Sequence, residues 1–235
     1  IGAARGDYTT PLTTQIAARN SFVSAFVGQQ NVYESQAEVS AAVCGAVAKS
    51  AGGDPALQFH SLPLYGLTVP YDASTHWTHS VRDTAVRNGL GVINYVGSQV
   101  VIDQLVSTYT TTAGGASAPQ VDRFVNTVLT LAAIVYDRQQ YFLAVWSRAK
   151  VANDGGFLPR GQKIMTPKTM KSELLSRYRL YLERGWVEDI ENYALTIITE
   201  RDNANPQRIN SQDQLILIGN LRITAMRVAW DFAVV

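Results

Sequence analysis

The chain has 235 residues, one cysteine, and 20 basic against 19 acidic side chains, for a formal charge of +1. It is long enough to bury a real core, as one large domain or two small ones. The near-zero charge advertises no polyanionic partner, the lone cysteine rules out an internal disulfide framework, and no apolar run approaches the roughly twenty residues of a membrane-spanning helix.

Charge is mildly uneven. Residues 1–112 carry 5 basic and 7 acidic side chains, net −2, and residues 113–235 carry 15 and 12, net +3. Ile1-Gly2-Ala3-Ala4 reads as the end of a buried strand, so more chain is expected upstream. Asn20-Ser21 precede an apolar run, Phe22 to Gly28, that suits a strand or a short helix. Gln36 to Lys49 is an Ala/Val-rich helix stopped by Gly52-Gly53, and its small side chains suit close packing on a sheet. Leu57 to Pro70 reads as a loop with strand character. Thr75 to Asn88 reads as a helix closed by Gly89. Val92–Val96 and Val100–Thr110 straddle Gly97-Ser98, as a tight hairpin does. Thr111 to Pro119 is the linker-like stretch, and it divides the chain into 1–112 and 113–235. Val121 to Lys150 is the longest helical pattern. It is apolar on more than one face, which predicts a central position.

The last seventy residues are the most ordered in pattern. Thr166-Pro167 is a helix start: a hydroxyl to cap free amides, then a residue with φ preset for the first turn. Met170, Leu174, Leu175, Tyr178, Tyr181 and Leu182 recur at helical spacing, and Gly185 marks the stop. Tyr193 to Glu200 is rich in β-branched and aromatic residues and predicts a strand. Arg201 to Pro206 has turn chemistry. Strand character resumes at Leu215 and runs from Leu221 to the end. There the apolar register flips, from Leu221, Ile223 and Ala225 to Met226, Val228, Trp230, Phe232 and Val234. A one-residue flip exchanges the faces of a strand, and an unpaired apolar strand would aggregate. Met226–Val235 is therefore expected to pair with the sheet of a neighbouring subunit, with a reach of roughly 33 Å for ten extended residues, the alternative being an ordinary edge strand of its own sheet.

No group reads as catalytic. His76 and His79 stand at i, i+3, but no further ligand follows at metal spacing, and two surface histidines near Trp77 is the simpler reading. Cys44, in an Ala/Val helix, reads as a buried inert thiol. Glu188, Asp189 and Glu191 read as solvated acids at a helix-to-strand turn, and Glu200-Arg201-Asp202 as a salt-bridged turn. Gly114-Gly115 and Gly155-Gly156 lack the setting and the lysine of a phosphate loop, and no Gly-x-Ser-x-Gly elbow occurs. An enzyme, a metal and a cofactor are not expected. The remaining signal is basic. At about 100° per residue, Lys168, Lys171 and Arg179 fall within an arc of about 80°, either a solvated helix edge or a face toward a partner. Nucleic acid is the weaker partner, because the basic residues are not interleaved with aromatics.

One ordered set of residues carries a resemblance. Gly185-Trp186-Val187-Glu188, Tyr193 to Ile198, Glu200-Arg201-Asp202, Asn205-Pro206, Arg208-Ile209-Asn210 and Asn220-Leu221 before a terminal strand resemble the C-terminal part of contractile-tail sheath proteins of Mu-like phages. Leu62-Pro63, Gly66-Leu67 and Pro70, then Gly91 to Tyr95, Val100 to Thr110 and Thr166-Pro167, fit the same family, so the match covers most of residues 57–235. One departure stands before Gly89, where Arg82, Asp83 and Ala85 replace an expected acid and paired leucines. The resemblance implies a mixed α/β fold, with helices packed on mixed sheets, as a fragment of a multi-domain sheath subunit ending in an extended strand. Residues 1–112 would be the C-terminal part of the core domain, and 113–235 the C-terminal domain with a terminal β-arm. It implies a structural subunit, located in a phage tail and assembled in the host cytoplasm, that polymerises around a tail tube and contracts. The partners would be further sheath subunits and the tube protein, without nucleic acid, membrane or cofactor. Lys168, Lys171 and Arg179 would be tube-facing, and Met226, Val228, Trp230, Phe232 and Val234 would serve strand exchange. A tailocin or type VI-like sheath has the same chemistry. The alternative from another class, a stand-alone enzyme or ligand-binding α/β domain, predicts a monomer with a deep polar pocket.

Overall fold

A computed structural model of the chain describes residues 1–5, 19–29, 32–72, 74, 76–157, 159, 161–222 and 227. Its central element is a four-stranded mixed sheet of β1 (Gly2–Arg5), β2 (Phe26–Gln29), β3 (Gly91–Val96) and β4 (Gln99–Gln104), in that spatial order. β1, β2 and β3 run parallel, and β4 returns antiparallel through the Gly97 turn. Residues 61–64 lie along the outer edge of β4, with Ser61 N donating to Ile102 O at 2.8 Å and Leu64 N to Val100 O at 2.8 Å. That is the strand character read in Leu57–Pro70.

Helix α1 (Gln36–Gly53) opens with a capping box: Glu38 N donates to the Ser35 hydroxyl, and Ser35 N to the Glu38 carboxylate. Val39, Val43 and Val47 recur every four residues and are buried against Val27, Ile93, Val100 and Ile102 of the sheet. Alternation along the strands puts their neighbours on the other face. There Val92 packs with Trp77, Ala85, Val86, Leu90, Val106 and Phe124, below α2 (His79–Arg87). Gly28 admits this layer: a Cβ there would lie 2.6 Å from Leu90 Cδ2 and 2.7 Å from Trp77 Cη2.

The departure before Gly89 has a physical role in this chain. Ala85 is fully buried in the layer that packs on the sheet, beside Val86 and Val92. The register of β3 and β4 shifts between Val92 and Ile93, leaving Asp103 as the extra residue of a bulge. Its carboxylate accepts from Arg82 Nε at 2.8 Å, while Arg82 Nη1 donates to Trp77 O.

The second half is built on α3 (Val125–Trp146), reached through a 3₁₀ turn, Gln120–Arg123. A two-residue parallel pair, β5 (Lys150–Val151) and β6 (Ile164–Met165), follows. Then come α4 (Pro167–Glu183), α5 (Ile190–Thr196) and the antiparallel β7 (Ile198–Arg201) and β8 (Ile209–Gln212). Their core is Ile134, Leu174, Tyr178, Tyr181, Val187, Tyr193 and Ile197. Helix α3 joins the two halves: Val125 and Leu129 pack on the first core, Ile134 and Phe142 on the last.

The mixed α/β class is as expected, and several local readings are corrected. Helix α2 starts at His79, because Thr78 supplies the cap. Helix α3 is shorter than the pattern and is not wrapped by protein. Asn126, Thr130 and Ile134 are its buried residues, and Leu131, Val135, Tyr136 and Leu143 are exposed. Thr111–Pro119 is a closed turn and not a loose linker: Thr112 N donates to Ala116 O at 2.8 Å, and buried Arg123 ties Ala118 O and Arg87 O, both at 2.6 Å. Tyr193–Thr196 is helical, and the strand begins at Ile198. Asp189, at φ 54°, accepts from Asn192 N at 3.1 Å and so caps a helix where a strand is expected. Residues 213–222 are irregular, with a single bridge from Leu217 to Val187.

Candidate functional site

The C-terminal layer holds the residues the sequence marks for interaction. Thr166 caps α4, its hydroxyl accepting from Thr169 N at 3.2 Å, and Pro167 occupies the first turn. The inward face carries Leu174, Tyr178 and Tyr181. Tyr178 stacks on Tyr193 with ring centroids 3.7 Å apart and an 8° tilt, which fixes α5 against α4.

Two consecutive charges in the middle of α3 anchor this layer. Asp137 accepts from Arg177 and, at 2.6 Å, from the Tyr181 hydroxyl. Burial pushes the Asp137 carboxyl up, but the Tyr181 hydroxyl and the Arg177 guanidinium outweigh it and hold it below the usual value. Burial, reinforced by the bond to Asp137, pushes the Tyr181 phenol up to about 12. One residue on, Arg138 donates to the Tyr193 hydroxyl at 3.0 Å and pairs with Asp213 at 2.9 Å, and that hydroxyl donates to Asp213 Oδ2 at 2.7 Å. Arg138 thereby ties α3, α5 and the irregular 213–222 segment together.

The three basic candidates do not share one environment. Lys168 and Arg179 are exposed on the outer side of α4. Lys171 is half-buried, and its Nζ donates to Ile197 O at 3.3 Å, beyond the end of α5. A cation there meets the negative end of a helix dipole, so Lys171 has a structural task inside the subunit. Leu182, Leu195 and Ile198 are exposed apolar residues of the same layer.

Met226, Val228, Trp230, Phe232 and Val234 lie outside the described residues. Residues 220–222, which precede them, are held to the body by polar contacts. Asn220 Nδ2 donates to Ala56 O at 2.9 Å, Asn126 Nδ2 to Asn220 Oδ1 at 2.5 Å, and Gln58 Nε2 to Leu221 O at 3.1 Å. Arg222 stacks over the Phe124 ring, 3.2 Å from its centroid.

The other candidates separate. His76 tilts against Tyr95 outside any helix, and His79 is the first residue of α2. Cys44 is half-buried and not fully buried as expected, its Sγ 3.9 Å from Ile1 O. Asp202 pairs with Arg208 and not with Arg201, whose Nε donates to Pro206 O at 2.6 Å. Glu188, Asp189 and Glu191 stand at a turn between two helices, not between a helix and a strand. Among the described residues no group of three or more His, Cys, Asp and Glu is placed to hold a metal ion, and no helix is long and apolar enough to cross a membrane. Sequence reasoning missed the Asp137-Arg138 pair and the Asn126–Asn220 contact. The first had a signal, two adjacent opposite charges inside an apolar helix; the second, two distant asparagines, had none.

No protein-family model matches the chain. It is 29% identical over 224 residues to a Mu-like prophage FluMu tail sheath protein of Haemophilus influenzae, which covers 95% of this chain and 45% of that protein. The crystal structure of a sheath tail protein from Desulfitobacterium hafniense shares the fold with a TM-score of 0.57 at 13% identity, over 92% of this chain and 48% of the other. A chain in the cryo-EM structure of the anti-feeding prophage baseplate does so with a TM-score of 0.59 at 14% identity, over 98% and 60%. The chain thus spans about half the length of the curated relative it matches. The resemblance to the Mu-like tail sheath family is borne out: in sequence the chain is similar to a Mu-like prophage tail sheath protein along nearly its whole length, and in fold it is similar to a solved sheath tail protein.

Proposed function

We propose that this chain is part of a structural subunit of a contractile tail sheath. Many copies stack as a sleeve around a tail tube, and the sleeve shortens to drive the tube through the host envelope. The observation that supports this most is the 29% identity to a tail sheath protein across 95% of the chain. The fold likeness to a chain of the anti-feeding prophage baseplate supports the same role in a related injection system. In this reading the free energy of contraction lies in two packings of the same subunits, and no catalytic step, metal or cofactor takes part. The partners are further sheath subunits and the tube protein, in a phage tail assembled in the host cytoplasm. Residues 1–112 complete the core domain, and 113–235 form the C-terminal domain with its arm.

Two surfaces have roles in this proposal. Met226, Val228, Trp230, Phe232 and Val234 form the strand that joins a neighbour's sheet, where backbone hydrogen bonds give affinity and alternate side chains fill pockets. Lys168 and Arg179 face the tube, and Lys171, bonded to Ile197 O, contributes less to that contact. The rival reading of a ligand-binding domain needs a polar pocket. Among the described residues, the groove of about 470 Å³ between α1 and residues 62–65 is lined largely by Ala41, Gly45, Ala46, Leu62 and Pro63, with Lys49, Ser50 and Tyr65 carrying its polar groups. Electron microscopy of the complete gene product expressed alone tests the proposal: long hollow sleeves are expected, and a monomer at all concentrations would refute it. Deleting residues 226–235 should leave thermal stability nearly unchanged and abolish the sleeves. A deletion that unfolds the subunit would return the strand to its own core.

A further inference from the structure

The attachment of residues 219–222 differs in kind from that of the residues before them. Leu215, Ile216 and Leu217 pack on the C-terminal core, and Glu188 N donates to Ile216 O at 3.0 Å. Beyond Leu217 the apolar anchoring stops: Ile218 and Gly219 are exposed, Leu221 is 75% exposed, and the last backbone bond to the C-terminal layer is Ile218 N to Trp186 O at 3.2 Å. What remains is polar. Asn220 spans from Ala56 O, on the loop after α1, to Asn126, which is itself buried at the start of α3 and also reaches Ala56 O at 3.3 Å. Arg222 Nη2 donates to Asn126 Oδ1 at 3.2 Å, and its guanidinium covers the Phe124 ring.

This attachment is weak by construction. Arg222 is half-buried and forms no ion pair among the described residues, and burial pulls its guanidinium down to about 10. Its desolvation is offset by one hydrogen bond and a ring face, not by a carboxylate. Below the segment lies a groove of about 410 Å³, walled by Val121, Phe124, Leu215 and Leu217. The groove supplies no tight packing that would hold the segment if its polar bonds were lost.

We propose that Asn126, Asn220 and Arg222 form a latch that fixes residues 219–222 to the joint between the two halves and opens without unfolding either core. With the latch closed, Asn220 and Arg222 are held at Ala56, Asn126 and Phe124; with it open, the last fixed point before them is Ile218, bonded to Trp186 O. The inference uses contacts within one chain and does not depend on the proposed function.

Limited trypsin digestion of the chain tests it, because Arg222 is inside the latch and exposed Arg227 is outside it. Cleavage after Arg227 serves as the internal standard. In the wild type, cleavage after Arg222 should lag behind it, because Arg222 must leave Phe124 to enter the protease. Asn220→Ala removes the bridge to Ala56 O and Asn126, and should speed cleavage after Arg222 on the order of tenfold, with a single cooperative urea transition retained and stability lowered by no more than the ~1.4 kcal/mol equivalent to that tenfold. Gln58→Ala, which removes one exposed bond to Leu221 O, should give a smaller acceleration in the same direction. Unchanged cleavage after Arg222 in both variants would overturn the latch. So would a loss of the folded state in Asn220→Ala, or equal wild-type rates after Arg222 and Arg227.

Discussion

Replacing Arg138 with Met tests whether α3 holds the C-terminal layer by charge. Arg138 sits between two partners, the Tyr193 hydroxyl at 3.0 Å and Asp213 at 2.9 Å, and the Arg138 and Asp213 side chains are 16% and 12% exposed. Its Nε has no hydrogen-bond partner, so those two contacts are what the guanidinium gains for its burial. Removing one member of a buried pair strands the other, at a cost of about 3–5 kcal/mol. Some water reaches both groups here, which places Arg138→Met near the lower end, about 3 kcal/mol. For a chain of this size that lowers Tm by roughly 6–12 °C. The double change, Arg138→Met with Asp213→Leu, leaves no stranded charge but strips the buried Tyr193 hydroxyl of both partners, so it should recover part of the loss, and most of it once Tyr193→Phe is added. The assay is urea unfolding followed by tryptophan fluorescence for the wild type, both single variants and the double. A cost below about 1 kcal/mol for Arg138→Met would show the pair to act like a surface salt bridge. A double variant no more stable than the singles would show that the side chains pack and do not pair.

Tyr181 adds a pH dependence. Its folded pKa, about 12, lies above the unfolded value near 10. The stabilisation is therefore complete below about pH 10 and is lost as pH rises toward 12. Urea midpoints between pH 8 and 12 should fall less steeply for Tyr181→Phe than for the wild type, and equal slopes would refute the assignment. Asp137 acts in the opposite sense: its carboxyl is held low, so its contribution is present above the ordinary carboxylate range and lost as pH falls through the lowered value. Asp137→Asn should lose stability at pH 7 and show a shallower acid transition. Gly28→Ala forces a methyl to 2.6 Å from Leu90 Cδ2, which predicts about 1–3 kcal/mol of destabilisation by overpacking, measurable as a lowered urea midpoint. Reversing Lys168 and Arg179 together to Glu should leave the fold and its melting temperature unchanged while reducing salt-sensitive sleeve assembly on tubes; normal assembly would remove these residues from the proposed tube contact.

Elements whose signals are local were legible in the sequence. Thr166-Pro167 to Gly185 marks α4 at both ends, and Gly97-Ser98 marks the β3–β4 turn, because cap, ring and positive φ act within a few residues. Tyr193–Thr196 was misread for a complementary reason. Aromatic and β-branched residues suit a strand, but Asp189 caps the segment and Tyr178 stacks on Tyr193 from a separate helix. The partner that decides the conformation lies fifteen residues away, where no propensity scale looks. Lys171 shows the same limit within the candidate site. Its spacing groups it with Lys168 and Arg179 on one arc of α4, but does not show that the end of α5 sits beside it.

Helix α3 carries the larger lesson. Apolar residues around its girth suggested a helix enclosed on all sides, yet Leu131, Val135, Tyr136 and Leu143 face outward. Composition cannot distinguish an apolar face that meets the core from one that meets another surface, because the same side chains serve both. The informative residues of α3 were instead its polar ones. Asn126 reaches the loop after α1, and Asp137 and Arg138 reach α4, α5 and the 213–222 segment. Each is half-buried or buried with named partners, and such groups are costly to leave unsatisfied. Polar groups inside an apolar helix therefore fixed which elements must surround it more sharply than the apolar pattern did. The first turn and the middle of α3 bond different parts of the chain, so the helix couples the sheet to the C-terminal layer. A perturbation at Arg138 should accordingly loosen the C-terminal layer while leaving the packing of Val39, Val43 and Val47 on the sheet intact.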